Sequence, residues 1–192
     1  AQVAQGAQPA LADHPLRGLG ADDQVAPHAA LFVEHGNFVH GVEPNAPMRE
    51  AAVRAFAGRA NFRAVDGSAE HTGLGAGAVE LVTAGQAFHW FDAAPTRPEW
   101  TRILVPDGAV ALVWNDRRID ASALMREYEA LLDACGIDYR ATDHQRHDPS
   151  KIAAFFAAAR PERVDFTHTQ SLDLDGFLGR LFSSSYIPGP DH

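Results

Sequence analysis

Three short stretches of the chain carry residue types that can do chemistry on a small polar molecule. In the first, the apolar run Phe38-Val39-His40-Gly41-Val42 gives way to Glu43-Pro44-Asn45. A buried strand that ends in an acid and then turns into a helix offers a carboxylate to two neighbouring hydroxyls, such as the diol of a ribose. An acid at that point can also serve simply as a favourable charge at a helix N-terminus. In the second, Asp66-Gly67-Ser68-Ala69-Glu70 combines a turn glycine with polar side chains. Taken alone it is a bend capped by Asp66. In the third, residues 84–91 end in Phe88-His89-Trp90-Phe91. Aromatic faces attract a cation by about 0.5–2 kcal/mol each, and they exclude water. His89 titrates close to neutral pH and suits a general base. The same run also fits a core aromatic cluster with a hydrogen-bonded histidine.

These stretches need elements to hold them, and the pattern of apolar residues supplies a set. A helix is expected to end near His35 and be closed by Gly36, followed by a strand over 38–42. A helix over 47–58 has one apolar face of Met48, Ala51, Ala52, Ala55 and Phe56. Strands are expected over 61–65 and 79–84, and a helix over 95–104. Pro106-Asp107-Gly108 reads as a tight turn before a strand over 109–114 that is buried on both faces. Helices over 122–134 and 150–159 and an alternating strand over 163–172 complete the set. Residues 1–20 are expected to be a poorly ordered lead-in, with one domain over 21–192. Strands alternating with helices imply a parallel sheet, and in such sheets ligands bind beyond the carboxyl ends of the strands.

Composition narrows the function classes. The 192 residues are enough for one domain with a sizeable core. A net charge of −9 disfavours sequence-independent binding to nucleic acid and docking on anionic membranes. No apolar run approaches the roughly 18 residues needed to span a bilayer. Cys135 is the single cysteine and has no partner within the chain, which suits a reduced, cytoplasmic protein. His144 and His147 stand three apart, between Asp143 and Asp148, but match no recognisable metal site, and no metal is expected. Asp173 and Asp175 suit turns better than ligation.

In their order and spacing, Gly41 to Asn45 with Met48, Asp66 to Glu70, Val82 to Phe91, Trp100 to Gly108 and Ala109 to Asn115 resemble the class I S-adenosylmethionine-dependent methyltransferases, in particular the small-molecule kind known as methyltransferase type 11. The resemblance covers about residues 29–182. It implies a Rossmann-like α/β three-layer sandwich, a mostly parallel sheet flanked by helices, and S-adenosyl-L-methionine as cofactor. It implies that Glu43, Pro44 and Asn45 meet the ribose and that Met48, Ser68, Ala69 and Glu70 meet the adenine. Ala84 and Gln86 would lie near the methionine end. His89 would be the base, and Phe88, Trp90 and Asn115 would face a small-molecule acceptor.

Two departures from the family pattern shape the expectations. The family's glycine-rich loop belongs just before Leu31, where Gln24-Val25-Ala26-Pro27-His28-Ala29-Ala30 stands instead; Val25-Ala26 is the candidate remnant of the first strand, and Gly18-Leu19-Gly20 lies too far upstream to substitute. The chain also ends where the family continues through a helix and an inserted strand. The fold is therefore expected to be incomplete at both ends, with an open sheet edge that favours a homodimer. A binding or scaffold protein with a decayed cofactor site is the competing expectation. A nicotinamide-dependent oxidoreductase is a distant third, because it needs the same glycine fingerprint.

Overall fold

Apolar runs bounded by turn residues become the strands of one sheet. In the computed structural model, residues 2–5, 27–136, 139, 148–157, 159, 161–167 and 169–182 are described. They fall into two units, residues 1–114 and 115–192.

The first unit holds a five-stranded sheet in the order β3-β2-β1-β4-β5. The strands are β1 (Gln2–Gln5), β2 (Phe38–Val42), β3 (Phe62–Val65), β4 (Val79–Gly85) and β5 (Leu104–Val113). β2 pairs parallel with β3, and β4 pairs parallel with β5. β1 lies between the two pairs and runs antiparallel to both β2 and β4. Four of the five strands therefore point the same way, and their carboxyl ends share one edge. The strand at Gln2–Gln5 corrects the expected poorly ordered lead-in over those residues. Its four residues have no apolar alternation to announce them, and their place comes from backbone pairing on both sides. Val25-Ala26 and Gly18 to Gly20 lie outside the described residues.

Helix α1 (Pro27–Glu34) ends at Gly36, which takes a φ of +82° that few other residues tolerate. Ala29 and Val33 from α1 pack on Val39 of β2, with Phe32, Phe56 and Phe62 around them. The Asn61 side chain ties this corner together, donating to the carbonyls of Val33 at 2.8 Å and Asn37 at 2.9 Å. Helix α2 (Ala46–Ala55) starts under the cap of Asn45, whose Oδ1 accepts from the Met48 N–H at 3.1 Å. None of its residues is fully buried. Helix α3 (Ala93–Ile103) is capped by Asp92 and buries Thr96, Trp100 and Ile103.

β5 differs from expectation in two ways. It starts at Leu104, so Pro106-Asp107-Gly108 sits inside the strand rather than ahead of it. Leu104 pairs with Val79, while Ala109 already pairs with Leu81. The intervening residues form a bulge, and Asp107 takes a φ of +64° there. Nor is β5 buried on both faces: its residues are half-buried or exposed, since it is the edge of the described sheet.

The second unit holds α4 (Ala123–Cys135), α5 (Pro149–Phe156) and α6 (Leu174–Phe182). Ser122 and Asp148 cap the first two through their side-chain oxygens. Tyr128 and Leu132 of α4 form a core with Tyr139 and Leu181. The Arg117 guanidinium donates to the Tyr139 hydroxyl at 2.8 Å, which in turn donates to Glu129. The expected strand over 163–172 is corrected: its described residues form neither strand nor helix and are exposed. An alternating pattern makes a strand only where a neighbour offers a ladder. His144 and His147 and the segment 183–192 lie outside the described residues. No helix among the described residues is long and apolar enough to cross a membrane.

Candidate functional site

The shared direction of β2 to β5 brings Glu43, Asp66, Gln86 and Trp114 to one edge of the sheet, each directly after its strand. The β2–β3 ladder makes its final bond there, from the Glu43 N–H to the Val65 carbonyl at 3.1 Å. Beyond that bond the two chains separate. Glu43 is half-buried, and its Oε1 accepts from the Asn45 N–H at 2.9 Å, which fixes the carboxylate over the start of α2. Pro44 and Asn45 are exposed; the Asn45 side chain is spent on capping α2.

The turn after β3 is closed by two backbone bonds between Ser68 and His71, at 3.0 and 3.2 Å. Ala69 is buried and Ser68 half-buried. Gly67 is obligatory for a packing reason. A Cβ there would lie 2.8 Å from the His71 carbonyl oxygen and 2.9 Å from that of Thr72, and backbone cannot step aside cheaply. Gly67→Ala is expected to cost about 1–3 kcal/mol, the usual penalty of overpacking. Chemical denaturation checks it; an unchanged midpoint would mean the turn has slack.

At the end of β4, Gln86 is exposed and takes a φ of +53°, while its N–H donates to the Val113 carbonyl at 2.9 Å. A non-glycine residue in the left-handed region costs about 1–3 kcal/mol, and such strain concentrates at working sites. The aromatic run that follows divides by role. Phe88 is 1% exposed and packs edge-on against Phe91 and Trp114. Its expected contact with an acceptor is therefore corrected: Phe88 is core, because the turn Phe88–Trp90 points its first ring inward. Trp90 points out, 70% exposed, with the half-buried His89 ring 4.7 Å away, centroid to centroid. Ala84 is buried within β4, and Met48 is 54% exposed on α2. Asn115 is exposed and opens the second unit.

Residues 19–112 match the model of a family described as a methyltransferase domain, which includes the whole sheet edge just described from Glu43 to Gln86. Over these residues the chain is similar to methyltransferase domains. It is 38% identical over 86 residues to an uncharacterized methyltransferase of Mycobacterium tuberculosis, covering 45% of this chain and 34% of that one. An uncharacterized methyltransferase of Schizosaccharomyces pombe is 49% identical over 39 residues, 20% of this chain and 16% of its own. The chain thus spans about a third or less of the length of these curated relatives. Among solved structures, a protein from Anabaena variabilis described as a methyltransferase from an antibiotic biosynthesis pathway aligns with a TM-score of 0.51 and 21% identity. That alignment covers 70% of this chain and 50% of the other, and it supports the Rossmann-like fold.

Several side chains matter for the candidate site although their spacing did not announce them. Glu70 bridges the β3 loop to α3: its Oε1 accepts from the Asp92 N–H at 3.0 Å. Burial pushes the Glu70 carboxyl up, but hydrogen bonds from the Ser68 hydroxyl and from the Glu70 and Asp92 N–H groups outweigh it, and the net shift is downward. Glu99 secures the far end of the loop, accepting from the Thr72 N–H at 2.9 Å and its hydroxyl at 2.5 Å. Arg102 pairs with Glu99 at 2.8 Å and donates to the Leu74 carbonyl at 2.8 Å. His28 of α1 stands against Gly85: a Cβ on that glycine would come within 2.4 Å of the imidazole. Burial lowers the His28 pKa, so it is neutral near pH 7. A shallow depression on α3, lined by Arg97, Pro98, Thr101 and Arg102, includes none of the residues expected at the site.

Proposed function

We propose that this domain binds S-adenosyl-L-methionine along the carboxyl edge of its sheet and promotes transfer of a methyl group to a small-molecule acceptor. The observation that carries the reading is the alignment of the Ser68 turn, Glu43 and Gln86 along one edge, after β3, β2 and β4, the order that base, sugar and amino-acid end of one ligand would need. The residues fit the cofactor best at its nucleoside end. There a half-buried carboxylate is already oriented by a backbone N–H, and a tight turn offers polar groups at Ser68.

When bound, the cofactor supplies an electrophilic methyl group and a neutral thioether leaving group. Glu43 holds the two ribose hydroxyls, with Pro44 and Asn45 shaping its turn. Ser68 and Ala69 meet the purine edge, with Met48 beside it, and Glu70 holds that loop in place. Gln86, on its strained backbone, faces the methionine end. Trp90 covers the reacting centre against water. His89 takes the proton that the acceptor loses as its new bond to carbon forms. The protein's main contribution is positioning, which can supply several kcal/mol of a barrier. The acceptor is a small molecule rather than nucleic acid or membrane, in keeping with the net charge of −9. A cytoplasmic setting and self-association through a sheet edge accord with this reading.

One observation favours a second reading. The His28 ring covers the bare backbone of Gly85, where a ligand would otherwise approach β4. A scaffold protein that no longer binds the cofactor would show such a plug. Isothermal titration decides between them. A dissociation constant for S-adenosylmethionine below about 100 μM, beyond roughly −5.5 kcal/mol, supports the enzyme. Absence of heat at millimolar ligand supports the scaffold.

A further inference from the structure

After the Glu43 N–H bond to the Val65 carbonyl, the next N–H of β2 in step to face β3 is that of Asn45, and it donates instead to Glu43 Oε1 at 2.9 Å, so no further ladder bond holds the two departing loops at a fixed separation. Arg49, on the first turn of α2, reaches back across that gap. Its Nη1 donates to the Glu43 carbonyl at 2.7 Å and the Pro44 carbonyl at 3.2 Å, and it pairs with Asp66 Oδ1 at 3.1 Å. The guanidinium is largely covered, its side chain 21% exposed, whereas the Asp66 side chain is 75% exposed. One cation thus joins the turn that carries Glu43 to the loop that carries Ser68 and Ala69. All three contacts converge on the single nitrogen Nη1, so one donor group is shared between the two segments.

We infer that Arg49 is a positioning residue that sets the distance between the Glu43 carboxylate and the Ser68 turn, and so governs affinity for the adenosine part of the ligand. This rests on the cofactor reading above. Arg49 touches no ligand atom in this account; it acts through the two loops it joins. The exposed Asp66 pair contributes little energy by itself. What Arg49 provides is register, and a misplacement of about 1 Å in such a site can cost a hundredfold.

The experiment uses adenosine and S-adenosylmethionine as titrants on the wild type, Arg49→Met and Arg49→Lys, with hydrogen exchange on the unliganded proteins. Arg49→Met is expected to weaken both titrants by the same factor, about tenfold or more, since only the nucleoside end is affected. Arg49→Lys should recover part of that loss, to about threefold. The amides of Asn45 and Ser68 should exchange faster together in Arg49→Met, while melting temperatures stay within about 3 °C, as for other partly exposed polar changes. If the wild type binds adenosine and Arg49→Met binds it equally well, the assignment of Arg49 falls while the cofactor reading stands. If exchange at Asn45 and Ser68 is unchanged in Arg49→Met, the two loops are not coupled through Arg49 and the assignment falls on that ground. If the wild type binds neither titrant, the cofactor reading fails and takes this role with it.

Discussion

Glu43→Gln is expected to weaken S-adenosylmethionine binding by about 10–100-fold, the worth of converting charge-assisted hydrogen bonds to neutral ones at about 1.5–3 kcal/mol. Glutamine is the informative replacement. It keeps an oxygen that can accept from the Asn45 N–H, the bond that now holds Oε1 at 2.9 Å. The fold should therefore stay within about 0.5 kcal/mol of wild type, as surface changes that spare a structural bond usually do. Glu43→Ala loses both the charge and that bond and should bind more weakly still. Titration of each variant with S-adenosylmethionine, beside a denaturation curve, separates the two effects. Equal affinity in the wild type and Glu43→Gln would move the ribose away from this carboxylate.

The second large effect is one of stability and lies at Glu99. Its side chain is 9% exposed and accepts from both polar hydrogens of Thr72, a residue that is itself fully buried. Glu99→Ala strands that N–H and hydroxyl without partners, at about 2–4 kcal/mol for the pair. In a chain of this size that lowers the melting temperature by about 5–12 °C. The charge adds a pH signature. The Arg102 guanidinium is the main influence on the Glu99 carboxyl; burial opposes it, bonds from Thr72 assist it, and the pKa falls from 4.5 to about 2. A carboxyl with a depressed folded pKa stabilises the fold fully above its unfolded value. That contribution shrinks as pH drops below 4.5 and is lost through about 2. Linkage bounds it at about 3 kcal/mol, and screening at Arg102, 42% exposed, brings the expectation to about 1–2 kcal/mol. The gap in stability between wild type and Glu99→Gln should thus fall by about half between pH 7 and pH 3. A gap independent of pH would remove the ion pair from the account.

The sequence disclosed those parts of the fold whose signal is local. β2, β3 and β4 are apolar runs closed by turn residues, and α2, α3 and α4 start within two residues of where their patterns predict. β1 gave no such signal, because Gln2–Gln5 is a strand only by virtue of its neighbours. The alternation over 163–172 misled for the converse reason. α6 was legible in the spacing of Leu174, Phe177, Leu178 and Leu181 but was not drawn from it. At the site, the acid after β2 and the turn after β3 followed from residue type and order. The division of Phe88 from Trp90 did not, since adjacent aromatics look alike until a short helical turn sends one inward and one outward. Arg49 and Glu99 were also invisible. Glu99 meets Thr72 across 27 positions, and Arg49 meets Asp66 only because two strands end side by side.

The reversed strand at the middle of the sheet has a practical consequence. Among the described residues, the β2·β3 ribbon and the β4·β5 ribbon make no ladder with each other; continuity passes through Gln2–Gln5. Trimming those four residues with a protease would leave two half-sheets, each with a raw inner margin of unsatisfied amides and carbonyls ready to stick to another molecule. Any preparation of this protein is best judged by whether Gln2–Gln5 is still attached to it.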